Sequence, residues 1–171
     1  MRLFVAIDFD EHKNYFLSLQ QKLAGGSFTF PKVFHLTIKF LGEVEDPKPV
    51  IDALSKVSFD RFSLVLSGFG VFPDKSSIRV VWVGLNPIVD VANLHSQVDS
   101  LLGNPDSKWH PHITIARVKF IKDNSKISAL LAHETEPLAT EVKSFSLYKS
   151  SLTSSGPIYE RLAEFKSSKV I

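Results

Sequence analysis

The chain has 171 residues, a formal net charge of +2 and no cysteine. This length predicts one domain with room for two lobes. The small net charge excludes a polybasic nucleic-acid coat, and the absence of cysteine excludes disulfides, thiolate nucleophiles and cysteine metal sites. The N-terminus lacks signal-peptide features, and no apolar run approaches the ~20 residues of a membrane helix, so we expect a cytoplasmic protein without membrane contact.

The hydrophobic pattern predicts alternating strands and helices along the whole chain. Apolar spacings of three and four predict helices, and runs of β-branched and aromatic residues predict strands. In chain order these are a strand at 2–9, a helix at 11–23, a short strand at 28–30, a strand at 34–41, a helix at 47–57, strands at 62–72 and 78–85, a helix at 88–102, a strand at 112–119, a helix at 124–131, and strands at 138–152 and 158–166.

This order favours an α+β fold. The turn residues at 73–77 predict that the strands at 62–72 and 78–85 form a hairpin or lie side by side. Each half of the chain runs strand, helix, strand, helix, strand, which indicates a loose internal duplication. We expect sheets that are covered by helices on the outside.

The central strand of each half opens with the same pattern, a histidine followed two residues later by a threonine. The pairs are His35 with Thr37 and His112 with Thr114. Side chains at positions i and i+2 of a strand point to the same face, so each strand presents an imidazole and a hydroxyl together. Two such pairs predict one site that is built from two matching halves.

These side chains suit phosphoryl transfer. One histidine can remove a proton from attacking water while the other protonates the departing oxygen. Threonine hydroxyls can donate hydrogen bonds to the phosphate oxygens. A cyclic phosphate is a favourable substrate because its ring holds the leaving oxygen beside phosphorus. The chemistry requires no metal, and we predict no metal and no cofactor.

Structural alternatives exist for each histidine. A single H-x-T occurs by chance, and a lone strand histidine is commonly structural. His110 could complete a three-imidazole metal site with His35 and His112. The reading that we prefer sets His110 at the rim, because Pro111 makes the start of the strand irregular. We interpret His12, His95 and His133 as solvated or structural; their three positions are not needed for the site.

The chain resembles a known family at these motifs. It is similar to the two-histidine phosphoesterase superfamily, and within it to the RNA 2′,3′-cyclic phosphodiesterases, also called 2′-5′ RNA ligases. The resemblance spans essentially the whole chain. The segments that carry it are residues 2–8, 35–42, 70–73, 79–84, 112–117, 151–153 and 156–159.

The resemblance implies a bilobal fold, with two pseudo-symmetric antiparallel-rich sheets that form a central cleft and helices packed outside, over a single two-lobed domain at 1–171. It implies opening of a terminal 2′,3′-cyclic phosphate to a 2′-phosphate without metal. His35 would be the proton donor and His112 the proton acceptor, although the pseudo-symmetry leaves this assignment open. Thr37 and Thr114 would hold the phosphate.

The resemblance adds Arg117 and Ser151 as further substrate-binding residues, and strand parity adds Lys39. Arg117 could bind phosphate, but strict alternation from His112 sets it on the opposite face, so the strand must bend or the side chain must reach round. Lys39 has the parity of His35 and could line the cleft, or it could be a solvated lysine at a strand end. Ser151 lies where the closing motif approaches the site in relatives.

Other functions remain open from the sequence. Phe72 and Trp82 could stack on RNA bases or belong to the core. The expected partners are RNA ends or nucleotides that carry a 2′,3′-cyclic phosphate, and the family name adds 2′-5′ ligation of tRNA halves. The alternatives are a non-catalytic RNA- or nucleotide-binding module, or a phosphodiesterase for another small cyclic or 2′-5′-linked nucleotide. The expected oligomeric state is a monomer.

Overall fold

The computed structural model describes residues 1–168, which form nine strands and four α-helices. The strands are β1 (Arg2–Asp8), β2 (Gly26–Thr29), β3 (His35–Glu43), β4 (Phe62–Asp74), β5 (Ser77–Asn86), β6 (Ile113–Ile121), β7 (Ala139–Val142), β8 (Ser144–Thr153) and β9 (Gly156–Lys166). The helices are α1 (Lys13–Gln21), α2 (Lys48–Leu54), α3 (Val89–Leu102) and α4 (Ser125–Leu131), and a 3-10 turn at Asp10–His12 precedes α1. Each predicted element has a counterpart.

The strands pair antiparallel in one sheet with the order β7-β4-β5-β6-β3-β1-β8-β9, and β2 lies on β6 beside β3. The order divides into two sets of four, β7-β4-β5-β6 and β9-β8-β1-β3. They are joined by a single residue pair, Leu36 of β3 with Ile113 of β6. The α+β class and the antiparallel strands are confirmed. The two expected sheets are the halves of one continuous sheet, because this pair connects them.

The helices cover one face of the sheet. α1 follows β1 of one half but packs against β6 of the other, and α3 follows β5 but packs against β3. Each of these two helices thus packs on the half that does not contain the strand before it, which holds the halves together. The core beneath the helices contains four fully buried phenylalanine rings, Phe9, Phe16, Phe34 and Phe145. No helix within residues 1–168 combines the length and apolar character that a membrane-spanning segment needs.

The predicted strand at 138–152 is in fact two strands. β7 pairs with β4 in one half, and β8 pairs with β1 in the other, so the chain changes halves at Lys143. Val142 and Phe145 are both buried on either side of this crossing. The apolar pattern therefore continues through the crossing, and the sequence carries no sign of the break.

Candidate active site

The two H-x-T motifs meet at the junction between the halves. His35 is the first residue of β3, and His112 immediately precedes β6. Each histidine thus lies one residue before a member of the joining pair, Leu36 and Ile113, and both of these residues are fully buried. Because successive side chains of a strand point to opposite faces, both imidazoles lie on the face away from the helices.

The register of the junction also brings the threonines to the histidines. Continuing the antiparallel pairing by one residue in each direction sets His35 opposite Thr114 and Thr37 opposite His112. Opposite residues of antiparallel strands project from the same face and are close neighbours. Two imidazoles and two hydroxyls therefore form one quartet on the open face of the sheet.

His112 has a defined tautomer. Its Nδ1 lies 2.7 Å from the carbonyl oxygen of His110. A carbonyl can only accept, so Nδ1 donates, and the neutral imidazole keeps its lone pair on Nε2. Burial lowers the pKa of His112, and the hydrogen bond to His110 opposes that shift. His112 is therefore a neutral imidazole whose free nitrogen can accept a proton.

His35 lies in a more enclosed setting. Its ring packs 5.0 Å from the ring of Phe4 and stands edge-on to Tyr159 at 5.4 Å. Burial lowers the pKa of His35 to about 4, the carboxylate of Asp8 opposes the shift, and the charges of Arg117 and of the second imidazole add to it. Without a bound anion, His35 is neutral at pH 7.

Arg117 lies on the open face because β6 contains a bulge. Thr114 and Ala116 pair with consecutive residues of β5, which leaves Ile115 as an extra residue. The extra residue reverses the alternation, so Arg117 returns to the face of Thr114. Its guanidinium charge lowers the pKa of both imidazoles of the quartet. Strict alternation from His112 predicted the opposite face, and the bend in the strand explains the difference.

Lys39 projects from the helix-covered face of β3 and also borders the pocket that Thr37 and His112 line, so its contact with substrate stays a prediction. Thr37 and Lys39 pair with consecutive residues of β1, so Ile38 is an extra residue and the alternation reverses. The Lys39 ammonium donates to Asp99 at 2.6 Å and to the carbonyl of Asn104 at 2.8 Å. Both bonds hold the ammonium against α3 and the loop that follows this helix.

Ser151 also differs from its expected place. Tyr148 of β8 stacks on Phe4, which fixes the face of the even-numbered residues of β8. Ser150 pairs with Tyr159 on the open face, and Ser151 pairs with Ile158 and projects to the other side. The residue that the closing hairpin brings to His35 is therefore Tyr159.

The sequence alone does not reveal two residues that contribute to the site. Asp8 pairs directly with His35 across β1 and β3, and its charge acts on that imidazole. The ring of Tyr159 packs edge-on against the same imidazole. The sequence contains one usable signal, since Phe4 and Asp8 share the parity of one face of β1. That signal becomes informative only once β1 is known to pair with β3.

Aromatic side chains line the other half of the cleft, around His112. Phe72 presents its ring at 4.9 Å from His112, and Trp82 lies 4.9 Å from the ring of His110. A pocket of about 330 Å³ opens here and reaches Phe40. Within residues 1–168, no three His, Asp or Glu side chains converge in a way that could hold a metal ion, so His110 completes no such set.

The fold and the site together define a class of protein. A pseudo-symmetric antiparallel sheet brings two H-x-T motifs and an arginine to one open face, where they can surround a phosphate. Two imidazoles with neighbouring hydroxyls and a guanidinium are the kinds of group that phosphate-ester chemistry uses to move protons and to bind the anion. This combination defines a two-histidine phosphoesterase.

Comparison with known proteins agrees with this class. The family model "LigT like Phosphoesterase" matches residues 7–82 and 86–159, and the chain belongs to this family. It is 34% identical over 176 residues to the RNA 2′,3′-cyclic phosphodiesterase of Methanocaldococcus jannaschii, covering 96% of this chain and 100% of that protein. It is also 34% identical over 178 residues to the RNA 2′,3′-cyclic phosphodiesterase of Thermotoga maritima, covering 96% of this chain and 94% of that protein.

A solved structure extends the likeness to three dimensions. The crystal structure of E. coli LigT complexed with 3′-AMP superposes with a TM-score of 0.79 at 25% identity, over 98% of both chains. The similarity thus spans the whole fold, including both halves of the sheet and the cleft between them.

Proposed function

We propose that this protein hydrolyses a terminal 2′,3′-cyclic phosphate, on RNA or on a nucleotide, to a 2′-phosphate. The observation that carries the proposal is the quartet of His35, Thr37, His112 and Thr114 on one face, with Nε2 of His112 free to accept a proton. The two relatives named RNA 2′,3′-cyclic phosphodiesterase support the choice of substrate. We further propose that the protein acts as a monomer in the cytoplasm.

The proposed reaction is one in-line displacement. His112 Nε2 takes a proton from water as the water oxygen bonds to phosphorus. The bond from phosphorus to the 3′ oxygen breaks, and His35 gives its proton to that oxygen. Exchange with solvent then returns both imidazoles to their starting states. Donor and acceptor on opposite sides of the phosphate match the opposed placement of the two motifs.

The charge on the phosphate has three binding partners in this proposal. The hydroxyls of Thr37 and Thr114 donate neutral hydrogen bonds, and the guanidinium of Arg117 neutralises the nonbridging oxygens. In the free protein, burial lowers the pKa of His35 to about 4. The bound phosphate anion raises this pKa again, because it favours the charged form of the imidazole. Substrate binding therefore helps to load the proton donor.

Incubation with adenosine 2′,3′-cyclic phosphate in the presence of EDTA tests the proposal. We expect 2′-AMP, identified by chromatography against authentic 2′-AMP and 3′-AMP. His35→Ala and His112→Ala should each lower the rate by roughly 10²–10⁴-fold, the range for a general acid or base. His133→Ala is the matched control, because His133 is exposed and remote from the quartet in sequence and fold. Normal turnover in both site variants would contradict the mechanism.

The same assay separates the alternatives. A non-catalytic binding module would bind the cyclic nucleotide and return it unchanged. A phosphodiesterase for another small nucleotide would prefer a 2′-5′-linked dinucleotide or a different cyclic phosphate in direct competition. Loss of turnover with EDTA would indicate that a metal is needed.

A further inference from the structure

A polar network lies between α3 and the junction of β3 with β6, and part of it lines the pocket that Thr37 and His112 also line. Its members are Lys39, His95, Asp99 and Trp109. Lys39 and Asp99 are only 7% and 9% exposed, and their charged atoms lie 2.6 Å apart. Burying two charges costs desolvation energy that their attraction hardly recovers, so such a pair adds little net stability. The network therefore calls for a role other than stability.

The network holds three successive residues of β3. The indole Nε1 of Trp109 donates to the carbonyl of Thr37 at 3.0 Å. The imidazole of His95 donates from Nδ1 to the carbonyl of Ile38 at 2.9 Å, and it stacks on the Trp109 ring at 4.1 Å. Lys39 follows at once in the same strand. These carbonyls lie just beyond the one residue pair that joins β3 to β6, so the ladder to β6 supplies them no partner.

The network also holds the segment that leads to His112. Asp99 accepts a hydrogen bond from the backbone of Asp106 at 2.9 Å, and Lys39 donates to the carbonyl of Asn104 at 2.8 Å. The segment continues through Trp109 to His110, whose carbonyl fixes the tautomer of His112. One cluster thus anchors both the strand of the first motif and the approach to the second.

A ladder of one residue pair cannot by itself fix the distance between two strands. We propose that Trp109, supported by the Lys39–Asp99 ion pair, is the positioning residue that sets the spacing of the two H-x-T motifs. This inference rests on the proposed function, since the spacing matters only if both motifs act on one phosphate. A displacement of about 1 Å at a catalytic group can lower a rate by up to about 10²-fold.

Trp109→Phe is the central test, because it keeps an aromatic ring against His95 while it removes the indole N–H together with the second ring of the indole. We expect kcat on adenosine 2′,3′-cyclic phosphate to fall at least about tenfold while KM changes less than about threefold, because misplacement affects the transition state most. Gln97→Met is the matched control. Gln97 lies on α3, the helix that carries His95 and Asp99. Its side chain forms hydrogen bonds with the backbone of Ser58, away from the cleft.

Two further variants separate positioning from general destabilisation. In a His112→Ala background, Trp109→Phe should lower kcat by less than about twofold, because the group that it positions is gone. The double variant Lys39→Met/Asp99→Leu replaces the ion pair by apolar side chains, which preserves folding, and should lower kcat at least about tenfold. Equal effects of Trp109→Phe in both backgrounds would overturn the proposal.

A readout that needs no turnover keeps this inference apart from the proposed function. Imidazole ¹⁵N shifts of His35 and His112 are recorded in the ligand-free protein. Trp109 has no ring contact with either imidazole, so a shift change reports displacement. We expect Trp109→Phe to move both signals and Gln97→Met to move neither. An inactive wild type would defeat the proposed function, while unmoved signals in Trp109→Phe would overturn the positioning role alone.

Discussion

Acid should destabilise this protein partly through one partly buried imidazole, that of His35. The pKa of His35 is about 4 in the folded protein, against 6.5 for a histidine in water. Between pH 6.5 and pH 4, His35 therefore binds a proton in the unfolded chain but stays neutral in the folded protein. The stability that His35 contributes is fully present above pH 6.5 and is lost as the pH falls towards 4. The difference amounts to about 3 kcal/mol in total, of which about 2 kcal/mol is lost between pH 7 and pH 5.

The substitution His35→Gln removes this titration and keeps a polar side chain at the position. Urea unfolding of both proteins between pH 7 and pH 4 gives the difference in unfolding free energy at each pH, and groups common to both cancel. From pH 7 to pH 5, we expect the unfolding free energy of the wild type to fall by about 2 kcal/mol more than that of His35→Gln. His133→Gln, at an exposed position, is the control. A difference that stays constant over this range would refute the lowered pKa of His35.

Three further predictions concern activity and stability. Because the pKa of both His35 and His112 is lowered, the proposed mechanism predicts a maximum of kcat/KM for adenosine 2′,3′-cyclic phosphate below pH 6.5; a plateau reaching pH 8 would contradict this. Arg117→Met should lower kcat/KM by about 10²-fold, whereas Ser151→Ala, on the other face of the sheet, should change it less than about twofold in the same assay. Lys39→Met should lower the free energy of unfolding by about 1–3 kcal/mol, because the buried carboxylate of Asp99 loses its lysine and keeps only the Asp106 N–H and the His95 imidazole as partners. Adding Asp99→Leu should restore most of this loss in urea titrations; equal stability of the single variant and the wild type would contradict the buried ion pair.

The first level of the fold could be predicted from the sequence because it depends on local periodicity. Apolar spacing located the helices and most strands, and the turn at 73–77 predicted the β4–β5 hairpin, which is confirmed. The repeated H-x-T pattern placed an imidazole and a hydroxyl on one face of each strand. These inferences hold because side-chain direction over two or three residues is fixed by the strand itself.

Tertiary structure decided everything that depends on the neighbouring strand. An extra residue in β3 sends Lys39 to the helix-covered face, and one in β6 returns Arg117 to the cleft. A bulge is defined by two residues opposing one on the partner strand, so a single sequence does not reveal it. The roles of Asp8 and Tyr159 likewise require the pairing of β1 with β3 and of β8 with β9. The sequence by itself determined which chemical groups are available, and only the folded sheet decided which of them face one another, because strand register is a property of the pair.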